Sequence, residues 1–373
     1  MTQGVSIVIP AWNGLELLKR FLPSVIRAAN HYRNLSGAPT EIIVVDDGST
    51  DDTVEWLIRE QKAVGNERPS ELDELPASQT TLRVVRNEAN LGFGETCNRG
   101  FEAAQYGLVF LLNNDVEVSE DAIAPLVENF RDESVFAAHC RVFELESKRE
   151  CGTGKLGEFA RGFIRVHRSY AVLDELYNLR MAGSPGLAAL YSIFAGGGSA
   201  MFDRKRFLEI GGFEPLLSPF YWEDVELSYR AWKRGYVVVY EPRSVVHHRV
   251  SSTIGKLKPS NVRKIEQRNR LIYHWVHLHD KWMLASHIVW VALLAITSPL
   301  RFKIGFISSL AAALKRLPEI RKRRREEKLA AKRSDREVFE AFAILEKRDD
   351  LFAYDDYAEL ERLNSDVADR RRG

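Results

Sequence analysis

Asp115 closes the run Phe110-Leu111-Leu112-Asn113-Asn114-Asp115, in which an apolar stretch stops abruptly in polar residues. A short apolar run bounded by turn formers is the pattern of a central strand of an α/β sheet. Side chains at the C-terminal tip of such a strand line the crevice where open sheets bind ligands. A carboxylate there is placed to hold a hard cation on a substrate phosphate, since Mg²⁺ is ordinarily bound by one or two carboxylates plus phosphate oxygens. Asn-Asn-Asp after a strand is also an ordinary turn. A second carboxylate, Asp224, stands with Glu223 and Glu226 in the first turn of a helix opened by Phe220-Tyr221-Trp222. Acid at a helix start offsets the positive end of the dipole; projected into a cleft beside an aromatic rim, it serves as a general base. His247 and His248 lie just beyond a strand, and in a chain offering Asp115 they suit a metal or diphosphate contact.

Other residues suit the same cleft. Trp12 sits in the loop Ala11-Trp12-Asn13-Gly14, where an exposed indole can stack on a nucleobase or an interior one can fill the core. Asp46-Asp47 ends the second strand, and two adjacent carboxylates exceed what capping the next helix requires. An ionised carboxylate only accepts hydrogen bonds, so one of them suits the N3–H of a pyrimidine or a ribose hydroxyl. Gly92 and Gly94 open a helix carrying Asn98, and glycines there let backbone approach a phosphate. They do not follow the first strand of a βαβ unit, so nicotinamide dinucleotide binding is not expected. Gly196-Gly197-Gly198 interrupts a strand pattern, which points to close approach of a ligand or another backbone, or to a bulge.

These residues need a scaffold that gathers loops at one edge. Residues 5–9, 41–45, 82–85 and 108–112 are short apolar or β-branched runs, and helical periodicity over 15–29, 52–61 and 94–104 separates them. That alternation predicts the α/β class with buried parallel strands. Further helices are expected over 120–131, 204–210 and up to Arg234, and further strands over 135–142, 192–202 and 237–240, the last broken by Pro242. Residues 151–187 mix glycines, aromatics and arginines and are taken as an acceptor-side insertion.

At 373 residues the chain can bury a large core, and its 28% charged content is that of a globular protein. A net charge of +1 supplies no field for nucleic acid. Cys97, Cys140 and Cys151 lack metal spacing and suit reduced thiols. No charged-then-apolar leader precedes the first strand, which predicts a cytoplasmic chain.

The pieces VSIVIPAWNG (5–14), EIIVVDDGSTDDT (41–53), NEANLGFGETCNRG (87–100), VFLLNNDVEV (109–118), FAGGGSAMFDRKRFLEIGGF (194–213), YWEDVELSYRAWKRGY (221–236) and VVHH (245–248), in this order, resemble the inverting glycosyltransferase family 2, with a rhamnosyltransferase-like flavour in Asn-Asn-Asp and Trp-Glu-Asp. The resemblance implies a GT-A fold, Rossmann-like with a mostly parallel sheet, over residues 1–250, and a nucleotide-diphosphate sugar donor linked to uridine or thymidine diphosphate. It implies Pro10, Trp12, Asn13, Asp46, Asp47, Asn90, Asn98, Asn113 and Asn114 at the nucleotide sugar, and Gly197, Gly198, Trp222 and Glu223 on the acceptor side. Asp224 matches the catalytic base, and Asp115 the last acid of an Asp-x-Asp motif holding Mn²⁺ or Mg²⁺, with His247 beside the metal and His248 second to it. Asn113 replaces the first acid of that motif and adds no charge. The acceptor is then a hydroxyl of a glycan or lipid-linked chain in cell-surface polysaccharide synthesis. A sugar nucleotidyltransferase should instead carry a Gly-rich, Arg-bearing loop after the first strand, where this chain has Pro10-Ala11-Trp12-Asn13; a non-catalytic scaffold remains the other alternative.

Residues 251–373 are expected to form a helical extension. Residues 282–300 contain no Asp, Glu, Lys or Arg, and a second apolar piece covers 304–317. Basic residues flank both sides, against the positive-inside tendency for a single span. Two helices lying on the cytoplasmic face of the inner membrane fit better, with a buried pair or a homodimer interface as the alternative. Between Lys315 and Arg336, eleven Lys/Arg against four Asp/Glu give +7, which suits an anionic membrane surface or a solvated helix face.

Overall fold

The computed structural model describes residues 3–66, 80–172, 190–249, 258–300 and 305–355. The chain runs through β1 (Val5–Ala11), α1 (Leu15–Ser36), β2 (Thr40–Asp46), α2 (Thr53–Asn66), β3 (Thr81–Arg86), α3 (Phe93–Ala103) and β4 (Leu108–Leu112). Then come β5 (Val116–Val118), α4 (Ile123–Asn129), β6 (Val135–Glu144) and five short strands, β7 (Glu150–Gly152), β8 (Gly154–Lys155), β9 (Glu158–Ala160), β10 (Phe163–Arg165) and β11 (Ser169–Val172). β12 (Ser199–Asp203), α5 (Arg204–Glu209), α6 (Glu223–Lys233) and β13 (Val237–His248) complete the main sheet.

The strand order is β3-β2-β1-β4-β12-β6-β13-β5, with β7 on β6. β1 lies between β2 and β4 and is parallel to both. Order therefore reverses beside β1, and the loops after β1, β2, β3 and β4 share one edge, the position where open α/β sheets bind ligands. β2 and β4 are buried along their whole length, which is why the sequence shows them as unbroken apolar runs.

Several boundaries differ from expectation. α1 continues past Pro23 to Ser36 because its apolar stripe extends through Tyr32, and Gly37 (φ +70°) ends it by donating to the Arg33 carbonyl. Pro242 does not break β13: the register shifts between Glu241 and Val245, so a bulge takes the proline out of the ladder and pairing resumes to His248. Residues 192–198 are not strand, and β12 starts at Ser199, after the glycines. α4 is shorter than 120–131. Within the expected insertion, β9 pairs with β10 and β11 pairs with β8; residues 173–187 lie outside the described residues.

The C-terminal region is helical: α7 (Pro259–His277), α8 (Lys281–Leu300), α9 (Gly305–Leu314), α10 (Leu317–Ala330) and α11 (Asp335–Leu345), followed by β14 (Leu351–Tyr354) on β11. Tyr273, Leu278, Val338, Phe342 and Leu345 join the same hydrophobic core as the strands. Part of the basic run turns inward: Arg324 donates to the carbonyls of Trp275 and Leu278, and Arg323 meets Glu214 at 2.6 Å. Arg321, Lys322, Arg325 and Lys328 stay exposed.

α8 reverses the ordinary amphipathic arrangement. Polar His287 and Ser298 are buried against the protein, whereas Trp282 (78% exposed), Ile288, Val289, Leu293 and Ile296 (68%) face outward. At 20 residues it is about 30 Å long, the thickness of a bilayer core. His287 holds it down, donating from Nδ1 to the Gly162 carbonyl (2.7 Å) and accepting at Nε2 from Trp275 (3.1 Å).

Candidate active site

The glycine run is the junction of the site. The Asn113 N–H donates to the Gly198 carbonyl (3.0 Å), and the Gly197 N–H donates to Asp224 Oδ2 (3.3 Å). Two adjacent residues thus tie the tip of β4 to the start of α6. A Cβ on Gly198 would stand 2.3 Å from Asn113 Nδ2, so any larger residue there would have to push the Asn113 side chain aside. The residue two before Asp115 and the first turn of α6 are accordingly joined through residues 196–198.

Asp115 is buried, and its Oδ1 lies 3.0 Å from His248 Nε2. The expectation placed His247 first; its ring instead stacks on Phe143 at 5.7 Å, and burial and Lys148 lower its pKa. Adjacent residues on β13 point to opposite faces, so only one of the pair can meet Asp115, and the register selects His248.

The nucleotide-side residues divide. Asp46 Oδ2 accepts from the Ser49 N–H (3.1 Å), but its buried Oδ1 has no partner among the described residues. Asp47 accepts from Asn87 Nδ2 (2.9 Å) and the N–H groups of Leu91 (2.8 Å) and Gly92 (3.0 Å), so its carboxylate organises the 87–92 loop. Asn13 (φ +46°) is tied to the same region: its N–H donates to Ser49 Oγ, and its Oδ1 accepts from the Thr50 N–H. Asn98 exchanges two hydrogen bonds with the Phe213 backbone and fixes α3 to the 211–214 loop. Trp12 is 45% exposed, Asn90 is exposed, and Pro10 is half-buried. Asn114 packs over Gly14, where a Cβ would stand 2.4 Å from Nδ2.

At α6, Tyr221 (φ +71°) and Trp222 (φ +75°) are both left-handed, a sparsely populated conformation for such residues. They aim Glu223 and Asp224. Burial raises the pKa of both carboxyls, and for Glu223 the neighbouring Asp224 charge adds to it, up to about 8. Backbone N–H groups of Val225 and Gly197 oppose that rise at Asp224 and favour its ionised form. Glu223 faces a cavity of about 310 Å³ lined also by Leu91, Glu95, Phe213, Leu217 and Phe220. Glu226 is separate: burial raises its pKa, but Arg230 and His277 outweigh this and bring it to about 2.

Residues 6–171 match glycosyl transferase family 2, and residues 108–318, more than half of the chain, match glycosyl transferase family group 2. The chain belongs to glycosyl transferase family 2. Among curated relatives, poly-beta-1,6-N-acetyl-D-glucosamine synthase of Staphylococcus epidermidis is 23% identical over 75% of this chain and 57% of its own length. The enzyme of that name from Staphylococcus aureus strain COL is 22% identical over 70% and 53%. The chain therefore spans little more than half the length of the curated relatives it matches. A solved structure of GalNAc-T7 with UDP, GalNAc and Mn²⁺ superposes with a TM-score of 0.55 at 19% identity, covering 85% of this chain and 58% of that one. That likeness gives the family 2 chain the GT-A fold, mixed α/β with its sheet between helices. Neither curated relative is a rhamnosyltransferase, and the rhamnosyltransferase-like subgroup gains nothing from them.

Family 2 motifs in the sequence pointed to the acids but not to their partners. The choice of His248 needed the strand register, and a further polar residue, Asn269 of α7, carries no sequence signal at all.

Proposed function

We propose that the protein is an inverting glycosyltransferase that moves a sugar from a nucleotide-diphosphate donor to a hydroxyl of a glycan or lipid-linked acceptor in cell-surface polysaccharide synthesis. The observation that carries this reading is the 196–198 turn, which bonds both to Asn113, two residues before the carboxylate of Asp115, and to the carboxylate of Asp224. Asp224 takes the proton of the acceptor hydroxyl, a contribution of about 10²–10⁴-fold for a positioned base. The hydroxyl oxygen attacks the anomeric carbon from the face opposite the diphosphate, the bond to the diphosphate breaks, and one displacement inverts that centre.

Asp115 and His248 are the residues that would hold Mn²⁺ or Mg²⁺. Their polar atoms lie 3.0 Å apart, and among the described residues no third His, Cys, Asp or Glu completes a set, so phosphate oxygens of the donor would have to supply the other ligands. When bound, the ion neutralises charge gathering on the departing diphosphate. Trp12 offers its indole face to the base, and the unpartnered Asp46 Oδ1 offers an acceptor for the N3–H that uracil and thymine share.

A panel of UDP-N-acetylglucosamine, UDP-glucose and dTDP-rhamnose, each with and without Mn²⁺, tests this by thermal shift. One donor is expected to stabilise the protein only with the ion, by about 2.7 kcal/mol at a hundredfold excess over Kd; no stabilisation by any of them overturns the reading. His248→Ala is expected to raise the Mn²⁺ needed for half the shift about tenfold, comparable to losing a metal-orienting group. His247→Ala should change it less than twofold, and the reverse order would return the site to His247.

The outward apolar face of α8 supports seating on an anionic cytoplasmic membrane surface, with the exposed basic residues of α10 adding attraction. Its buried face is bonded to the 158–165 hairpin and α7, which favours lying along the surface over spanning. Ile288→Lys with Ile296→Lys is expected to cut cosedimentation with phosphatidylglycerol vesicles at least tenfold, since each side chain contributes about 1.5–3 kcal/mol when buried. Unchanged sedimentation alongside a dissociating dimer would assign the face to a second copy of the chain.

A further inference from the structure

We propose that Asn269 is a positioning residue for the transfer step, holding the turn that aims Glu223 and Asp224; this rests on Asp224 being the base. Asn269 is fully buried in α7. Its Nδ2 lies within hydrogen-bond reach of the carbonyls of Leu217, Phe220 (2.9 Å) and Tyr221 (2.9 Å), so its two hydrogens serve three acceptors, one of them shared. Its Oδ1 accepts from Arg268 Nε (2.9 Å) and Nη2 (2.7 Å), and the same Nη2 donates to the Ser218 carbonyl. Two neighbouring residues of one helix therefore hold four carbonyls of the 217–221 segment.

That segment needs holding. Tyr221 and Trp222 are left-handed in succession, and non-glycine residues persist there only where their surroundings over-determine them. The Trp222 carbonyl accepts the first helical N–H of α6, from Glu226 (2.8 Å), so the geometry of the turn decides where α6 begins. Where α6 begins decides whether Asp224 meets the Gly197 N–H and whether Glu223 enters its cavity. Leu217 and Phe220, two of the held residues, also wall that cavity. The nucleotide end of the cleft, at Trp12 and Asp46, lies on other loops and shares none of these bonds.

Asn269→Asp keeps the size and the acceptor for Arg268 but turns an oxygen toward three carbonyl oxygens. Asn269→Ala removes the donor. Either variant of the full chain is expected to lower turnover about 10²-fold, the effect of a misplacement near 1 Å. Turnover is read as release of nucleotide diphosphate from whichever donor of the panel above stabilises the wild type, with water as acceptor. The Mn²⁺-dependent thermal shift by that donor should stay within twofold in concentration. Tyr221→Gly added to Asn269→Ala is expected to restore turnover at least tenfold, because glycine takes the left-handed conformation without support; a packing role for Asn269 gives no such rescue. The proposal is overturned by turnover within threefold of wild type, by turnover and donor affinity falling together, or by absence of rescue. If Asp224→Asn keeps its turnover, the base assignment fails instead; if that variant is inactive while the Asn269 variants are active, only the positioning role fails.

Discussion

Asp224→Asn is expected to bind the donor with wild-type affinity and to lose turnover by about 10²–10⁴-fold, the range for a positioned general base. The substitution is nearly isosteric. The amide oxygen can still accept from the Gly197 N–H, so the link between the 196–198 turn and α6 survives. What disappears is the lone pair able to take a proton. Glu223 is a poor substitute, since burial and the adjacent charge hold it neutral up to about 8 in the wild type. Removal of the Asp224 charge lowers that barrier, so a small residual rate rising with pH is expected from Glu223. The measurement is release of nucleotide diphosphate, paired with donor-induced thermal stabilisation. Turnover within tenfold of wild type would show that another group takes the proton.

The strands of the sheet were legible because burial on both faces leaves unbroken apolar runs, as in Leu108–Leu112, and the polar residues that follow them mark the ligand edge. Asp115 and Asp224 stand out in the sequence by type and by their place in the motif order. Their partners do not, because those are set by contacts distant in sequence. The bonds that Asp47 accepts from Leu91 and Gly92, and those that Asn98 makes with Phe213, leave no mark in the local sequence. His247 and His248 differ only by strand parity, and a bulge at Pro242 resets that parity out of sight of any local pattern. Asn269 is a polar residue in a helix; its significance comes entirely from the turn opposite it. The basic run between Lys315 and Arg336 reads as one charged face, yet geometry divides it into inward arginines that bind carbonyls and outward residues free to meet a surface.

Asp335→Ala is expected to destabilise the whole protein, not only its C-terminal helices, by about 3–5 kcal/mol, the cost of removing one partner of a buried ion pair. Asp335 is buried at the start of α11. Its Oδ1 accepts from Lys233 Nζ (2.6 Å) and Tyr229 Oη (2.8 Å), both on α6, and its Oδ2 from the N–H groups of His279 and Asp280 (2.7 Å each). One carboxylate thus joins the helix that begins with Asp224, the turn between α7 and α8, and α11. Alanine leaves the Lys233 ammonium, itself buried, without its counter-charge. The effect depends on pH with a definite sign. Burial alone raises the Asp335 pKa, but Lys233 and the donated hydrogen bonds prevail and hold it below the ordinary aspartate value. Its stabilisation is therefore complete above that ordinary value and disappears as pH falls through the lower, folded-state one. The gap between wild type and Asp335→Ala in urea midpoint should be widest near neutrality and close in acid. A gap below about 1 kcal/mol at neutral pH, or one that widens in acid, would show that the helical extension is held to α6 by its apolar core alone.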